Sequence, residues 1–255
     1  MNQSIRQRNP HIIGVIFIVV SALAFSLAGV LTKLISADAW TISCWRGLIG
    51  GVLITAYVAW LGRGQSLHVT FNLGWRGWVL ATVGSAASLA FIFAFKLTYI
   101  ANVAIIYATV PFMAAAMAWW MLRERFQIRT VVASLLSIVG VFIVVGGDLG
   151  TASLAGDAVA LLMTFGNALY MVLIRVFHDT PVVLAGGVSA FQLFVVGWFV
   201  VDPLGVPAQD VFLLVLFGAS FAFAVILWTE GTKLMPAAEV GLLGTSETPF
   251  AIILA

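Results

Sequence analysis

The chain has 255 residues, of which 62% are hydrophobic and only 9% charged, with a formal net charge of +2. So few charges cannot cover a water-soluble protein of this size, and so small a net charge gives no basis for binding nucleic acid. A single cysteine, Cys44, excludes an internal disulfide.

Apolar runs of about twenty residues, the length that crosses a bilayer's hydrocarbon core, follow one another from Pro10 to the last residue. In lipid every backbone N–H and C=O must be satisfied internally. The runs are continuous rather than alternating, so they predict helices and not barrel strands. Arg6, Arg8 and the Ala22-Leu23-Ala24 stretch imitate a signal peptide. The apolar run continues past that stretch to Leu31 and is echoed later in the chain, so it reads as a retained first helix. The predicted helices are 11–32, 40–61, 76–96, 101–121, 130–147, 156–175, 182–201, 211–230 and 237–255. Trp40, Trp60, Trp75, Trp78, Trp119, Trp120, Trp198 and Trp228 fall near predicted ends, where indole rings prefer the headgroup region.

Orientation follows from the distribution of Lys and Arg. With a cytoplasmic N-terminus, Arg6, Arg8, Arg63, Arg76, Arg123, Arg125, Arg129, Arg175 and Lys233 lie inside. Lys33, Arg46 and Lys96 lie outside or at the outer margin, and the outer loops carry Asp38, Asp148, Asp157, Asp202 and Asp210.

Two parts of the chain can be laid over each other. Gly14 to Lys33 aligns without a gap on Gly156 to Arg175, Lys96-Leu97 matches Lys233-Leu234, and Ala101 to Phe112 matches Glu239 to Phe250. Order and spacing are common to all three matches, which is the mark of an internal repeat. The unit holds five helices. An odd number forces the second copy to cross the membrane in the opposite sense, as in secondary transporters.

The five-helix repeat, the Trp45-Arg46-Gly47-Leu-Ile-Gly-Gly51 stretch, and Pro111 followed by Leu122-Arg123-Glu124-Arg125 resemble EamA domains of the drug/metabolite transporter superfamily. Pro236-Ala-Ala-Glu and Glu247-Thr-Pro249 are similar to the matching part of the second such domain. The resemblance implies ten helices and the movement of small metabolites across a membrane. It divides the chain into a first repeat of five helices over 11–147 and a second, truncated repeat of four over 156–255. A counterpart of Glu124 and a tenth helix are lacking, which reads as a fragment or a truncated product.

Ionisable groups within spanning segments are costly and therefore candidates for function. Arg46 lies about two turns inside helix two, where its planar fork suits a carboxylate or phosphate. The alternative is snorkelling of its long stem to the headgroups. Glu247, near the middle of helix nine, suits an ammonium group or a coupling proton; the alternative is a structural hydrogen bond. Polar stripes at helical spacing run along helix three (Thr82, Ser85, Ser88), helix six (Thr164, Asn167, then Tyr170 or Met171) and helix seven (Ser189, Gln192). Of the polar residues, Tyr107, Asn167 and Gln192 are expected to line a cavity, against the alternative of interhelical glue. The GxxxG spacing Gly47–Gly51 reads as close helix packing. Pro111 and Pro249 are expected to kink or break helices four and nine.

The fold expected is thus an all-α membrane protein built as an inverted repeat. The expected function is secondary transport of small organic metabolites, as an exporter working by alternating access, with Glu247 the candidate for proton coupling. Uptake, an intramembrane enzyme and a non-transporting scaffold are the alternatives. His11, His68 and His178 stand alone, so no metal is expected; no cofactor or catalytic residue is expected either. The expected partners are an amino acid-like metabolite, the lipid bilayer and a second copy in a homodimer, with no nucleic acid. The expected location is the cell (inner) membrane.

Overall fold

A computed structural model describes residues 3–62, 72–123, 153–177 and 179–235, with positions 132, 135, 136, 139, 240, 243 and 244. All its regular structure is helical among the described residues: α1 Gln3–Leu34, α2 Ala39–Leu61, α3 Gly74–Leu97, α4 Ile100–Tyr107, α5 Val110–Leu122, α6 Leu154–Val176, α7 Val182–Val200 and α8 Ala208–Leu234. Seven stretches are long and apolar enough to span a membrane, with α4 and α5 sharing one of them. The chain is a multi-pass membrane protein. The fifth and ninth predicted helices fall largely outside the described residues, as do Glu247 and Pro249.

Two predicted segments depart most from expectation. Helix α1 runs on through Pro10 to Gln3, because a proline removes one hydrogen bond without ending a helix that neighbouring turns support. The segment predicted as helix 101–121 is two helices with a turn at Ala108–Thr109. Pro111 has no N–H to offer the Tyr107 carbonyl, and the chain rewinds: the Thr109 N–H and hydroxyl both turn back to the Ile106 carbonyl, at 3.1 and 2.6 Å. Pro111 then sits in the first turn of α5, where its missing donor costs nothing.

The bundle is assembled from a few close pairs. Helix α2 packs on α7, α1 on α8 and α3 on α6; α2 also meets α8, and α3 meets α7. Small residues set the distances, since van der Waals packing rather than water exclusion joins helices in lipid. A Cβ at Gly47 would lie 2.5 Å from the Ala190 carbonyl oxygen of α7, and a Cβ at Gly51 would touch the Phe191 ring. The GxxxG pair therefore faces α7.

The two ends of the bundle differ in charge. At one end, Asp38 caps α2 by accepting from the Trp40 and Thr41 N–H groups (2.8 and 3.1 Å) and from the Thr41 hydroxyl. Burial raises the Asp38 pKa, but these hydrogen bonds outweigh it, and the net value is below the ordinary carboxylate range. Buried Asp210, in the first turn of α8, receives the Ser36 N–H (3.0 Å), the Ser36 hydroxyl (2.5 Å) and the Ala37 N–H (3.1 Å). Two lysines are exchanged here. Lys33, at the end of α1, donates to the Thr98 carbonyl beyond α3 (2.9 Å), and Lys96, at the end of α3, donates to the Ile35 carbonyl beyond α1 (2.7 Å). Each thus places a cation at the negative end of the other's helix dipole. At the opposite end the guanidinium of Arg76 stands 5.7 Å from the Trp75 ring and 5.8 Å from the Phe177 ring, and Arg123 and Arg175 close α5 and α6.

A candidate substrate cavity around Arg46

Arg46 is 3% exposed. It lies seven residues into α2, about 10 Å along the axis from the Asp-bearing end. It does not snorkel. Its Nη2 donates to the Ser88 carbonyl of α3 at 3.2 Å and to the Ser88 hydroxyl, and its Cζ stands 4.6 Å from the Phe221 ring and 5.4 Å from the Phe217 ring of α8. Among the described residues its buried Nε has no hydrogen-bond partner. The two rings supply quadrupole attraction to a cation removed from water, but none of these groups carries a negative charge.

Arg46 borders a cavity of about 150 Å³. Helix α1 contributes Phe25 and Ala28, α3 Gly84, Ala87, Ser88 and Phe91, and α4 Tyr107. Helix α6 adds Asn167, Tyr170, Met171 and Ile174, α7 adds Val182, Gly186 and Ser189, and α8 adds Phe221, Val225, Trp228 and Thr229. The described lining contains one charged group, Arg46, set in a mostly aromatic and apolar wall with the polar side chains of Ser88, Tyr107, Asn167, Tyr170, Ser189 and Thr229. Ile174 and Val182 flank the turn between α6 and α7, so the cavity runs toward the Arg-bearing end. On its Asp-bearing side, among the described residues, lies a packed cluster of Leu31, Ile35, Ile42, Ile92, Leu214 and Phe217, with the exchanged lysines beyond.

Of the residues expected to bind substrate, the structure brings Arg46, Tyr107 and Asn167 to this one cavity. Asn167 is anchored by donating from Nδ2 to the Met163 carbonyl, 3.0 Å away. Gln192 is not in the lining. Its Oε1 accepts from the Ser85 hydroxyl (2.9 Å) and its Nε2 donates to Thr82 Oγ1 (3.2 Å), joining α7 to α3. Thr164 bonds the Ala160 carbonyl of its own helix. Pro111 acts by ending α4 at Tyr107, beside the cavity. Glu247 lies outside the described residues.

Sequence reasoning passed over Ser88 as the holder of Arg46 and read Trp228 as an interfacial ring. Phe221, Val225 and Trp228 recur at i, i+4 and i+7, the spacing of one helix face, and that was the available signal.

Residues 12–146, more than half the chain, match the EamA-like transporter family. The chain belongs to that family. A solved structure known only as the crystal structure of a protein superposes on this EamA-like chain with a TM-score of 0.76 at 20% sequence identity. The overlap covers 97% of this chain and 87% of the other, and at that identity it shows the fold alone. No curated protein matches.

Proposed function

We propose that this EamA-like protein exports small organic metabolites by alternating access through the Arg46 cavity. The observation that carries the reading is a cavity beside buried Arg46 whose lining extends to Ile174 and Val182 next to the α6–α7 turn, with a packed apolar cluster on its Asp-bearing side. If the Arg-bearing end is cytoplasmic, as the Lys/Arg distribution favours, the cavity loads from inside, which suits export. Localisation to the cell inner membrane and a cytoplasmic N-terminus belong to the same proposal.

An inverted repeat, 11–147 against 156–255, supplies the second state. Exchanging α1, α2 and α3 with α6, α7 and α8 turns the α1–α8 contact into α6–α3 and the α2–α8 contact into α7–α3, and all four are present. The α2–α7 contact maps onto itself. Two halves with interchangeable contacts can trade conformations, and the trade moves the seal to the other end. Glu247 is the proposed proton-coupling group, on the sequence argument alone.

Single cysteines in a Cys44→Ser background test this. Positions 174 and 182 should react with an impermeant thiol reagent from the cytoplasmic face, and position 35 should stay protected until substrate is turning over. Reaction of position 182 only from outside would reverse the orientation and the direction together.

A further inference from the structure

We infer that the substrate of this cavity is a small organic anion, a carboxylate joined to an apolar or aromatic body about the size of one ring. The inference rests on the reading that the Arg46 cavity is the transport site. Arg46 is a nearly fully buried cation whose bonds among the described residues go to a neutral serine, with Nε left unpartnered. A buried charge is strongly disfavoured unless it is paired. A cavity beside such a cation, with no acid in its described lining, supplies the place for the missing negative charge. A guanidinium edge matches a carboxylate in geometry as well as charge.

The rest of the lining fixes the body of the ligand. Phe25, Phe91, Tyr170, Phe221 and Trp228 present rings and Met171 a thioether, a surface that gains by covering apolar area. A cavity of about 150 Å³ is the size that accommodates a benzene ring in an apolar protein interior. A polyanion would bring more negative charge than the single guanidinium of the described lining can match.

Benzoate and benzamide are matched probes: nearly the same shape, one charged and one neutral. The purified full chain in a neutral detergent is melted with each, and with inorganic phosphate. Benzoate should bind at least about tenfold more tightly than benzamide, as expected for a charge-assisted pair replaced by a neutral one, and phosphate should stabilise little. Arg46→Lys should keep a reduced preference for benzoate, and Arg46→Met should lose it. Should Arg46→Met fail to fold, alkylation of Ser189→Cys in the Cys44→Ser background locates the ligand: benzoate should slow it about tenfold and benzamide hardly at all. Equal effects of benzoate and benzamide would overturn the inference and mean that Arg46 is neutralised from within the chain, for instance by Glu247. A phosphate effect equal to that of benzoate would overturn the organic body. Benzoate binding without flux in proteoliposomes would reject transport and leave the ligand class standing; equal flux of both probes would do the reverse.

Discussion

Replacing Gly47 with alanine puts a methyl group against the backbone of α7. The new Cβ would lie 2.5 Å from the Ala190 carbonyl oxygen and 2.7 Å from the Phe194 nitrogen. Both are main-chain atoms of α7, so no side chain can rotate aside. Ordinary contact needs α2 and α7 to separate by about 1 Å, which loses dispersion contacts along the whole crossing. Overpacking of this kind costs about 1–3 kcal/mol, and a rigid neighbour places it at the upper end. For a chain of this size that is a fall of roughly 5–10 °C in the thermal midpoint. Arg46 is the adjacent residue, so the shift also pulls its guanidinium from Ser88, and ligand affinity should fall with stability. The control is Gly205→Ala, whose Cβ would meet nothing nearer than the Asp202 carbonyl oxygen at 3.8 Å. Melting of both variants in detergent, followed by size exclusion, reads the difference. A Gly47→Ala midpoint equal to that of Gly205→Ala would refute the argument that backbone contact sets the α2–α7 distance.

Asp210→Ala leaves the Ser36 and Ala37 N–H groups without their acceptor and should cost about 2–3 kcal/mol, seen as a lower midpoint and as proteolysis within residues 35–38. Replacing Lys33 and Lys96 together by methionine removes both exchanged caps and should raise thiol labelling of a cysteine placed at buried position 42 from the Asp-bearing side by about tenfold, the effect of roughly 1–2 kcal/mol; unchanged labelling would mean that the apolar cluster alone makes the seal. Asp38 has a depressed folded-state pKa, so its capping contribution, about 1 kcal/mol, is fully present above the unfolded value of about 4 and is lost as pH falls through the folded value. The midpoint gap between the natural chain and Asp38→Ala should therefore hold steady from neutral pH down to about 5 and close below about 4; a gap that widened in acid would contradict the sign.

The seven spanning stretches among the described residues were legible because lipid imposes one rule on every run, and Arg46 stood out because a lone charge inside such a run has few explanations. The break before Pro111 followed from a missing donor. The division of labour within a polar stripe was not legible. Thr82, Ser85 and Ser88 advance three residues at a time, and at 100° per residue each step falls about 60° short of a full turn. Thr82 and Ser88 are therefore rotated about 120° apart, enough for one end of the stripe to meet Gln192 of α7 and the other to meet Arg46 of α2. Which neighbour stands at each angle is a property of the packed bundle. Trp228 illustrates the same limit: an indole six residues before the end of α8 serves a headgroup layer or a cavity equally well until α1 is placed beside it, with the Phe25 ring centroid 6.3 Å from its own.

The Gly47 crossing divides α2 unequally. At 1.5 Å per residue, roughly 12 Å of helix separates Ala39 from Gly47 and roughly 21 Å separates Gly47 from Leu61. At Gly47 the contact is made by main-chain atoms of α7, so that level fixes the distance between the two helices and is the natural pivot between them. Any rocking of α2 on α7 about it is geared: the arm toward the Arg-bearing end sweeps nearly twice as far as the arm toward the Asp-bearing end. A small shift of Ala39 at the Asp-bearing end would thereby be returned as a larger displacement of Leu61 at the other end.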